Sequence, residues 1–339
     1  LSKIRILKTI PTSPIMVESF KEFTLLFSSL SAKIALFQSV ANQTQLIVPN
    51  CRIVGADSDI HCIGAKQIEH FAYMPFIKDL NQDILLEFCK EKKIQFVIPT
   101  RDGELYFWAM HQEFLLENQI GVMISSSSAI ALCEDKYAFF NHLKNAPIPS
   151  IKTARSLDSL ASLCNRFVVK EKTGSASRSV GLNLKKEEVE VHLNCLQDPI
   201  FQPQINGREF SAETWIDQEG KPHGIVLRWR ICVVDGESHE TKTFKNLHWS
   251  KKILETIAMI EGLKGHVLAQ VIVDENDCLH LVEINPRLGG ASPLSLAAGL
   301  ESIKWSLLEF FGHSNQIPEY PVIKEGLHLS KQNLDINIR

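Results

Sequence analysis

Val267-Leu268-Ala269-Gln270-Val271-Ile272-Val273, the polar tetrapeptide Asp274-Glu275-Asn276-Asp277, and Cys278-Leu279-His280-Leu281-Val282-Glu283-Ile284-Asn285-Pro286-Arg287 form the stretch that decides the fold. Two apolar, strand-like segments flank a turn-forming sequence, which predicts a β-hairpin. Pairing Val273 with Cys278 sets Gln270 opposite Leu281. The two-residue side-chain period then places Gln270, Glu283 and Asn285 on one face. One carboxylate and two amide oxygens converge there. Such a hard-oxygen set suits Mg2+, which takes a few protein oxygens and fills its shell with water and substrate phosphates. Glu283-x-Asn285-Pro286 alone also fits a polar strand end running into an Asn-Pro turn. Gln270 at the matching parity favours the metal set.

The rest of the composition narrows the class. A chain of 339 residues can build two or three domains or subdomains with their own cores. No segment approaches the roughly 20 consecutive apolar residues of a membrane span, so a membrane protein is not expected. Lys plus Arg total 36 against 39 Asp plus Glu, and the net charge of −3 offers no broad attraction for nucleic acid. The eight cysteines are scattered, without Cys-x-x-Cys or zinc-type Cys/His spacing, and read as reduced, mostly buried thiols. No signal-peptide hydrophobic region opens the sequence, so the expected location is the cytoplasm.

After an N-terminal extension (1–22), strand patterns at Phe23–Phe27, Arg52–Ala56, Ile94–Ile98 and Gly121–Ile124 alternate with helical ones at Ser31–Ala41, Asn81–Lys92 and Leu105–Glu117. Alternation of this kind implies a small parallel, doubly wound sheet over residues 23–124. Ser28-Ser29-Leu30-Ser31-Ala32-Lys33 lacks the glycines of a dinucleotide fingerprint, which sets a dehydrogenase aside. Ser125 to Ser128 predicts the cap of one helix running through Asp135-Lys136 to about Leu143. Pro147-Ile148-Pro149 then breaks the chain and marks the expected domain boundary. Beyond it the pattern is β-rich with two helices, an α+β unit.

Several other segments carry chemistry. Phe167-Val168-Val169-Lys170 is a short strand ending in lysine, followed by a loop of small residues that holds Ser175, Ser177 and Arg178. Backbone N–H groups and two cations in such a loop can cover a polyphosphate, although a flexible solvated hairpin fits the same residues. Ile200 to Ile205 can present backbone groups to an adenine edge, with Glu209 just beyond as an acceptor for ribose hydroxyls. Arg228 and Arg230 alternate with Leu227, Trp229 and Ile231, so both guanidinium groups share a face suited to a carboxylate or acyl phosphate. The stretch Asp235 to Thr243 reads as a mobile loop near the site, with His239 a surface residue rather than a base. Ser292 is the expected N-cap of a helix opened by Pro293, whose N-terminus can receive a substrate carboxylate.

Taken in order, Lys136 after Glu134-Asp135, Lys170 and its loop, Glu209, Gln270, and Glu283-x-Asn285-Pro286-Arg287 resemble the ATP-grasp superfamily, and within it the carbamoyl-phosphate-synthase-like branch that includes amino-acid ligases. The resemblance covers about Phe23 to Gly312. It implies a pre-ATP-grasp α/β domain (23–124) followed by an ATP-grasp fold (125–339) with a lid subdomain over about 150–203. It also implies ATP and Mg2+ as cofactors, with Mn2+ as an alternative ion. By position, Lys136, Lys170, Ser175, Ser177 and Arg178 would meet the phosphates, and Gln202, Gln204 and Ile205 the adenine. Glu209 would hold the ribose, while Gln270, Glu283 and Asn285 would bind metal. Arg287, with Arg230 and Arg228, would serve the transferred phosphate or acyl phosphate. The implied activity joins a small-molecule carboxylate to an amine through an acyl phosphate, with a homo-oligomer compatible. Phosphorylation of bicarbonate or carbamate, or a nucleotide-binding scaffold of little turnover, are the alternatives. Two departures stand out: Ala176 and Ser179 replace glycines of the phosphate loop, and Pro203 has no N–H to offer adenine.

Overall fold

The computed structural model describes residues 22–160, 162, 164–174, 179–332 and 335–338. The N-terminal extension to residue 21 and the expected phosphate-loop residues Ser175, Ser177 and Arg178 lie outside them.

The first domain contains β1 (Thr24–Phe27), α1 (Ile34–Gln45), β2 (Arg52–Asp57), β3 (Phe71–Tyr73), α2 (Gln82–Glu91), β4 (Phe96–Ile98), α3 (Asp102–Glu117) and β5 (Gly121–Val122). Its five strands are parallel in the order β3-β2-β1-β4-β5, as the βα alternation requires. β1 and β4 are buried throughout because helices cover both faces. Asn81 caps α2 by accepting from Ile84 N–H at 2.9 Å.

The single helix expected from Ser125 to Leu143 is two: α4 (Ser127–Glu134) and α5 (Lys136–Leu143). Asp135, at φ −85° and ψ 96°, leaves the helical region and accepts from the N–H groups of Tyr137 and Ala138. A side chain that can cap twice competes with helix continuation. The expected boundary at Pro147–Pro149 also shifts in meaning. α5, Ala146 and Ile148 pack into the core of the second unit, while α4 is shared, with Ala129 in that core and Ile130 in the core of the first domain, so the chain is not divided at Pro147–Pro149.

A three-stranded antiparallel sheet follows in the segment expected as the lid, with β6 (Phe167–Glu171), β7 (Gly181–Leu184), α6 (Lys186–Leu193) and β8 (Pro199–Pro203), its strands in the order β7-β6-β8. The main sheet contains β9 (Arg208–Ile216), β10 (Pro222–Val234), β11 (Glu237–Phe244), β12 (Gly265–Val273), β13 (Leu279–Asn285), β14 (His328–Gln332) and β15 (Asp335–Ile338). Their order is β13-β12-β9-β10-β11-β14-β15, antiparallel throughout. α7 (Leu247–Ile257), α8 (Ser292–Ala297) and α9 (Ser302–Phe310) complete the unit, giving more helices beyond Pro149 than the two expected.

The Asp235–Thr243 stretch is not a loop. It is the turn and most of β11, because Asp235 and Gly236 both take positive φ (50° and 79°), the two-residue geometry that joins twisted strands tightly. The cysteines are all unpaired, but only Cys51, Cys62 and Cys89 are buried, fewer than expected. Among the described residues no helix is long and apolar enough to cross a membrane.

Candidate active site

Alternation along β9 creates the site. Phe210 and Ala212 point into the core, so Glu209, Ser211 and Glu213 point the other way. The register carries this polarity across the sheet: Glu283, Gln270, Ser211, Arg228 and Thr243 pair in turn along a single rung of β13, β12, β9, β10 and β11. Leu227, Ala269, Val271 and Ile284 occupy the opposite, apolar face. The polar face floors a cleft of about 1470 Å³, walled by the lid and by Ser31–Lys33 and Thr100–Gly103 of the first domain.

The hairpin register differs from expectation in an instructive way. Val273 pairs with Leu279, not Cys278, and Gln270 with Glu283, not Leu281. Without interruption, the observed start would place Val282 opposite Gln270 and turn Glu283 to the core. A bulge between Gln270 and Val271 adds one residue on β13 and restores Glu283 to the cleft. Asn285 pairs with Leu268 on the same face. Asn285 Nδ2 donates to Glu283 Oε1 at 2.8 Å, which leaves the Asn285 amide oxygen turned to other work. Gln270, Glu283 and Asn285 thus line the cleft together. Among the described residues no group of three or more His, Cys, Asp or Glu could hold a metal. A set of one carboxylate and two amide oxygens fits Mg2+ sharing its shell with phosphate oxygens and water, and fits no soft metal.

Two lysines face this set. Lys170 on β6 lines the cleft, and burial lowers its ammonium to about 8, opposed by the Glu283 charge. Burial likewise lowers Lys136, again opposed chiefly by Glu283. Lys136 Nζ donates to Gly174 O at 2.9 Å and its backbone N–H to Lys172 O at 3.0 Å, fastening the lid to the start of α5.

At the hinge, the side chains of Gln202 and Gln204 are already engaged. Gln202 Nε2 donates to Thr153 Oγ1 at 2.8 Å, while Gln204 Oε1 accepts from Asn183 N–H at 3.0 Å and its Nε2 donates to Ile205 O at 3.2 Å. Pro203 has no N–H, and Gln204 N–H donates to Arg166 O. The Ile205 N–H makes no hydrogen bond among the described residues, so the donor left free in this segment is main chain rather than either glutamine side chain. Gly207, next along, must be glycine because a Cβ there would stand 2.3 Å from Val273 O.

The expected anion end is assembled but largely spoken for. Glu209 Oε1 lies 3.1 Å from Arg230 Nε, an ion pair without hydrogen-bond alignment, and Arg230 Nη2 donates to Gly236 O at 2.8 Å. Burial raises Glu209 and the Arg230 charge opposes it. The carboxylate expected to hold ribose is therefore paired with the arginine expected to serve the acyl phosphate. Arg287 also lines the cleft, yet its Nε and Nη2 grip both oxygens of Asp102 at the start of α3, the second contact at 2.6 Å. Arg228 lines the cleft and is 1% exposed. His239 lines the cleft too, and so is not simply a surface residue.

Ser292 is not an N-cap. It is the first residue of the six-residue α8, and its Oγ accepts from Gly289 N–H at 2.7 Å, closing the Gly289–Ser292 turn on itself.

Sequence reasoning missed Asp102, Thr153, Glu213 and His266. For Glu213 a signal existed: Glu209-Phe210-Ser211-Ala212-Glu213 alternates polar and apolar with period two, the mark of a strand with one chemical face. For Asp102, 185 positions from Arg287, no local pattern exists.

Residues 133–291 match the family model described as an ATP-grasp domain. Among solved structures, the chain is similar to biotin carboxylase from Campylobacter jejuni (TM-score 0.71, 13% identity, 90% of this chain and 74% of that one). It is similar to N5-carboxyaminoimidazole synthetase from Staphylococcus aureus complexed with ADP (TM-score 0.71, 14% identity, 92% and 83%). It is also similar to L-amino acid ligase from Bacillus licheniformis (TM-score 0.68, 14% identity, 91% and 78%). No curated protein matches the sequence significantly.

Proposed function

We propose that this chain, which carries an ATP-grasp domain over residues 133–291, is an ATP- and Mg2+-dependent ligase that joins a carboxylate to an amine. A single observation supports the reading best: Gln270, Glu283 and Asn285, Lys170, and Arg228 with Arg230 share one cleft between lid and sheet. Phosphoryl transfer asks a protein for position and charge neutralisation more than for a nucleophile, and the cleft supplies cations on two sides and oxygen ligands on the third.

In this reading the carboxylate oxygen of the substrate attacks the γ-phosphorus of ATP, ADP leaves, and an acyl phosphate forms. The amine then attacks the acyl carbon and expels inorganic phosphate. Gln270, Glu283 and Asn285 would hold Mg2+, which when bound neutralises the phosphate charge. Lys170, and Lys136 once it exchanges the Gly174 carbonyl for a phosphate oxygen, would bind the triphosphate. Ile205 N–H would meet the adenine, and the lid would exclude water from the acyl phosphate. Arg228 and Arg230 would orient the group being activated. Small-molecule substrates and a cytoplasmic setting belong to the same reading.

The test is an ADP-release screen of carboxylic acids against amines, with Glu283→Gln as the control. Release that needs both an acid and an amine, and disappears in the variant, is the expected result. Release with bicarbonate alone would reassign the chemistry to bicarbonate phosphorylation, and tight MgATP binding without release across the screen would make the chain a nucleotide-binding scaffold.

A further inference from the structure

Beyond the lined part of the cleft floor, on the same face of the sheet, a chain of buried polar groups runs from α9 to β10. His266 Nδ1 lies 2.9 Å from Ser302 Oγ, and His266 Nε2 lies 3.0 Å from Glu213 Oε2. The other Glu213 oxygen, Oε1, accepts from Arg228 Nε at 2.7 Å and sits 2.6 Å from Arg228 Nη2. An ionised carboxylate only accepts, so His266 Nε2 carries the proton in that contact and the imidazole orientation is fixed. Burial alone would raise the Glu213 carboxyl, but Arg228 and His266 together hold it down at about 2. Both Glu213 oxygens are thus saturated.

Arg228 is different at its far side. It lines the cleft, whereas Glu213 and His266 do not. Its Nη1 is buried and has no hydrogen-bond partner among the described residues, and the same holds for Ser211 Oγ on the same rung and Ser238 Oγ on the cleft wall. A guanidinium kept only for structure would be expected to satisfy its donors, because each buried N–H without a partner carries a desolvation cost. Here the unsatisfied donor belongs to the one member of the chain that reaches the cleft. Gly289 keeps the wall close: a Cβ there would stand 4.0 Å from Arg228 Nη2 and 2.7 Å from Leu268 Cδ1.

We propose that Glu213 and His266 are positioning residues that hold Arg228 as a preset receptor for one substrate oxyanion, with Nη1 reserved for it. The shared chemistry is an oxygen anion, carried either by the carboxylate to be activated or by the phosphate that it acquires. The idea rests on the ligase reading only for the identity of that anion.

The experiment titrates inorganic phosphate, and in a separate arm acetate, into the full chain by calorimetry, each with and without saturating MgADP. The wild-type chain is expected to bind at least one of them. Arg228→Ala and His266→Leu are each expected to weaken that binding by about tenfold or more, the loss of one charge-assisted hydrogen bond, while MgADP affinity stays within about twofold. His266→Gln, whose amide can donate to Glu213, is expected to stay within about threefold of wild type, a rescue that a role in packing alone would not produce. Glu213→Gln should behave as His266→Leu does. If it does not fold, the paired replacement Glu213→Met with Arg228→Met removes both charges together and should fold without binding the anion.

Tighter binding of phosphate would assign the receptor to the acyl phosphate, and tighter binding of acetate to the incoming acid. Unchanged anion affinity in Arg228→Ala or in folded His266→Leu, or no anion binding by the wild type, would overturn the proposal. Anion binding that depends on Arg228 in a chain without MgADP affinity would remove the ligase reading and leave this inference standing.

Discussion

Two glutamates on one face of one sheet have opposite fates. Glu213 on β9 is fully enclosed, with both oxygens taken by Arg228 and His266, whereas Glu283 on β13 lines the cleft and gives one oxygen to the Asn285 amide. The difference follows from neighbours. β9 is flanked by β10 and β12, which bring a guanidinium and an imidazole alongside Glu213, while Glu283 on the edge strand β13 has the amides of Gln270 and Asn285 beside it and meets its cations, Lys136 and Lys170, across the cleft. A carboxylate gripped on both oxygens between two neighbouring strands becomes a structural anion; one that gives a single oxygen to an amide beside an open cleft keeps capacity for a further partner.

The contrast breaks if the two residues respond alike to the same change. Glu213→Gln leaves Arg228 buried without its counter-charge and is expected to cost about 3–5 kcal/mol of stability, read from chemical unfolding midpoints. Glu283→Gln is expected to leave that midpoint nearly unchanged while lowering ADP release by about a hundred- to a thousandfold, since in the proposed reaction one ligand charge would be lost where phosphate charge develops. Stability falling in the second variant, or turnover alone falling in the first, would abolish the distinction.

Lys170 sharpens it further. Burial lowers its ammonium to about 8, so its neutral form grows as pH rises through that value, and in the proposed role only the cation would hold phosphate. MgADP affinity is therefore expected to weaken by about tenfold between pH 7 and pH 9, and Lys170→Arg, which stays charged, should flatten the dependence. A flat wild-type profile would count against a phosphate role for Lys170. The smallest expected effect lies away from the cleft: Asn81→Ala removes the α2 cap and should cost about 1 kcal/mol of stability, with the apparent affinity for nucleotide unmoved.

Much of this arrangement was legible in the sequence because local period and side-chain chemistry coincide there. The wiring of the first domain follows from apolar runs alternating with amphipathic ones. The convergence of Gln270, Glu283 and Asn285 follows from parity, although the reason parity survives is a bulge that no pattern in Leu279–Asn285 announces. The Asp235-Gly236 turn carried a strong hairpin signal, but the polar residues after it, Glu237 to Thr243, masked a strand whose outward face meets solvent and cleft. Pairings across long stretches of chain were invisible. Arg287 with Asp102, Gln202 with Thr153 and Glu213 with His266 depend on tertiary placement, and each decides which side-chain atoms of these residues remain free.

The segment around Ser150 has a mechanical consequence. β13 is the outermost strand on its side, and its exposed edge is closed at one point, where Leu281 N–H donates to Pro149 O and Leu281 O accepts from Ile151 N–H, both at 3.0 Å. The polypeptide that enters the lid is thus pinned to the strand bearing Glu283, two positions away from it. Any swing of β6, β7 and β8 would have to pivot downstream of that pin, which would leave the spacing of Gln270, Glu283 and Asn285 undisturbed.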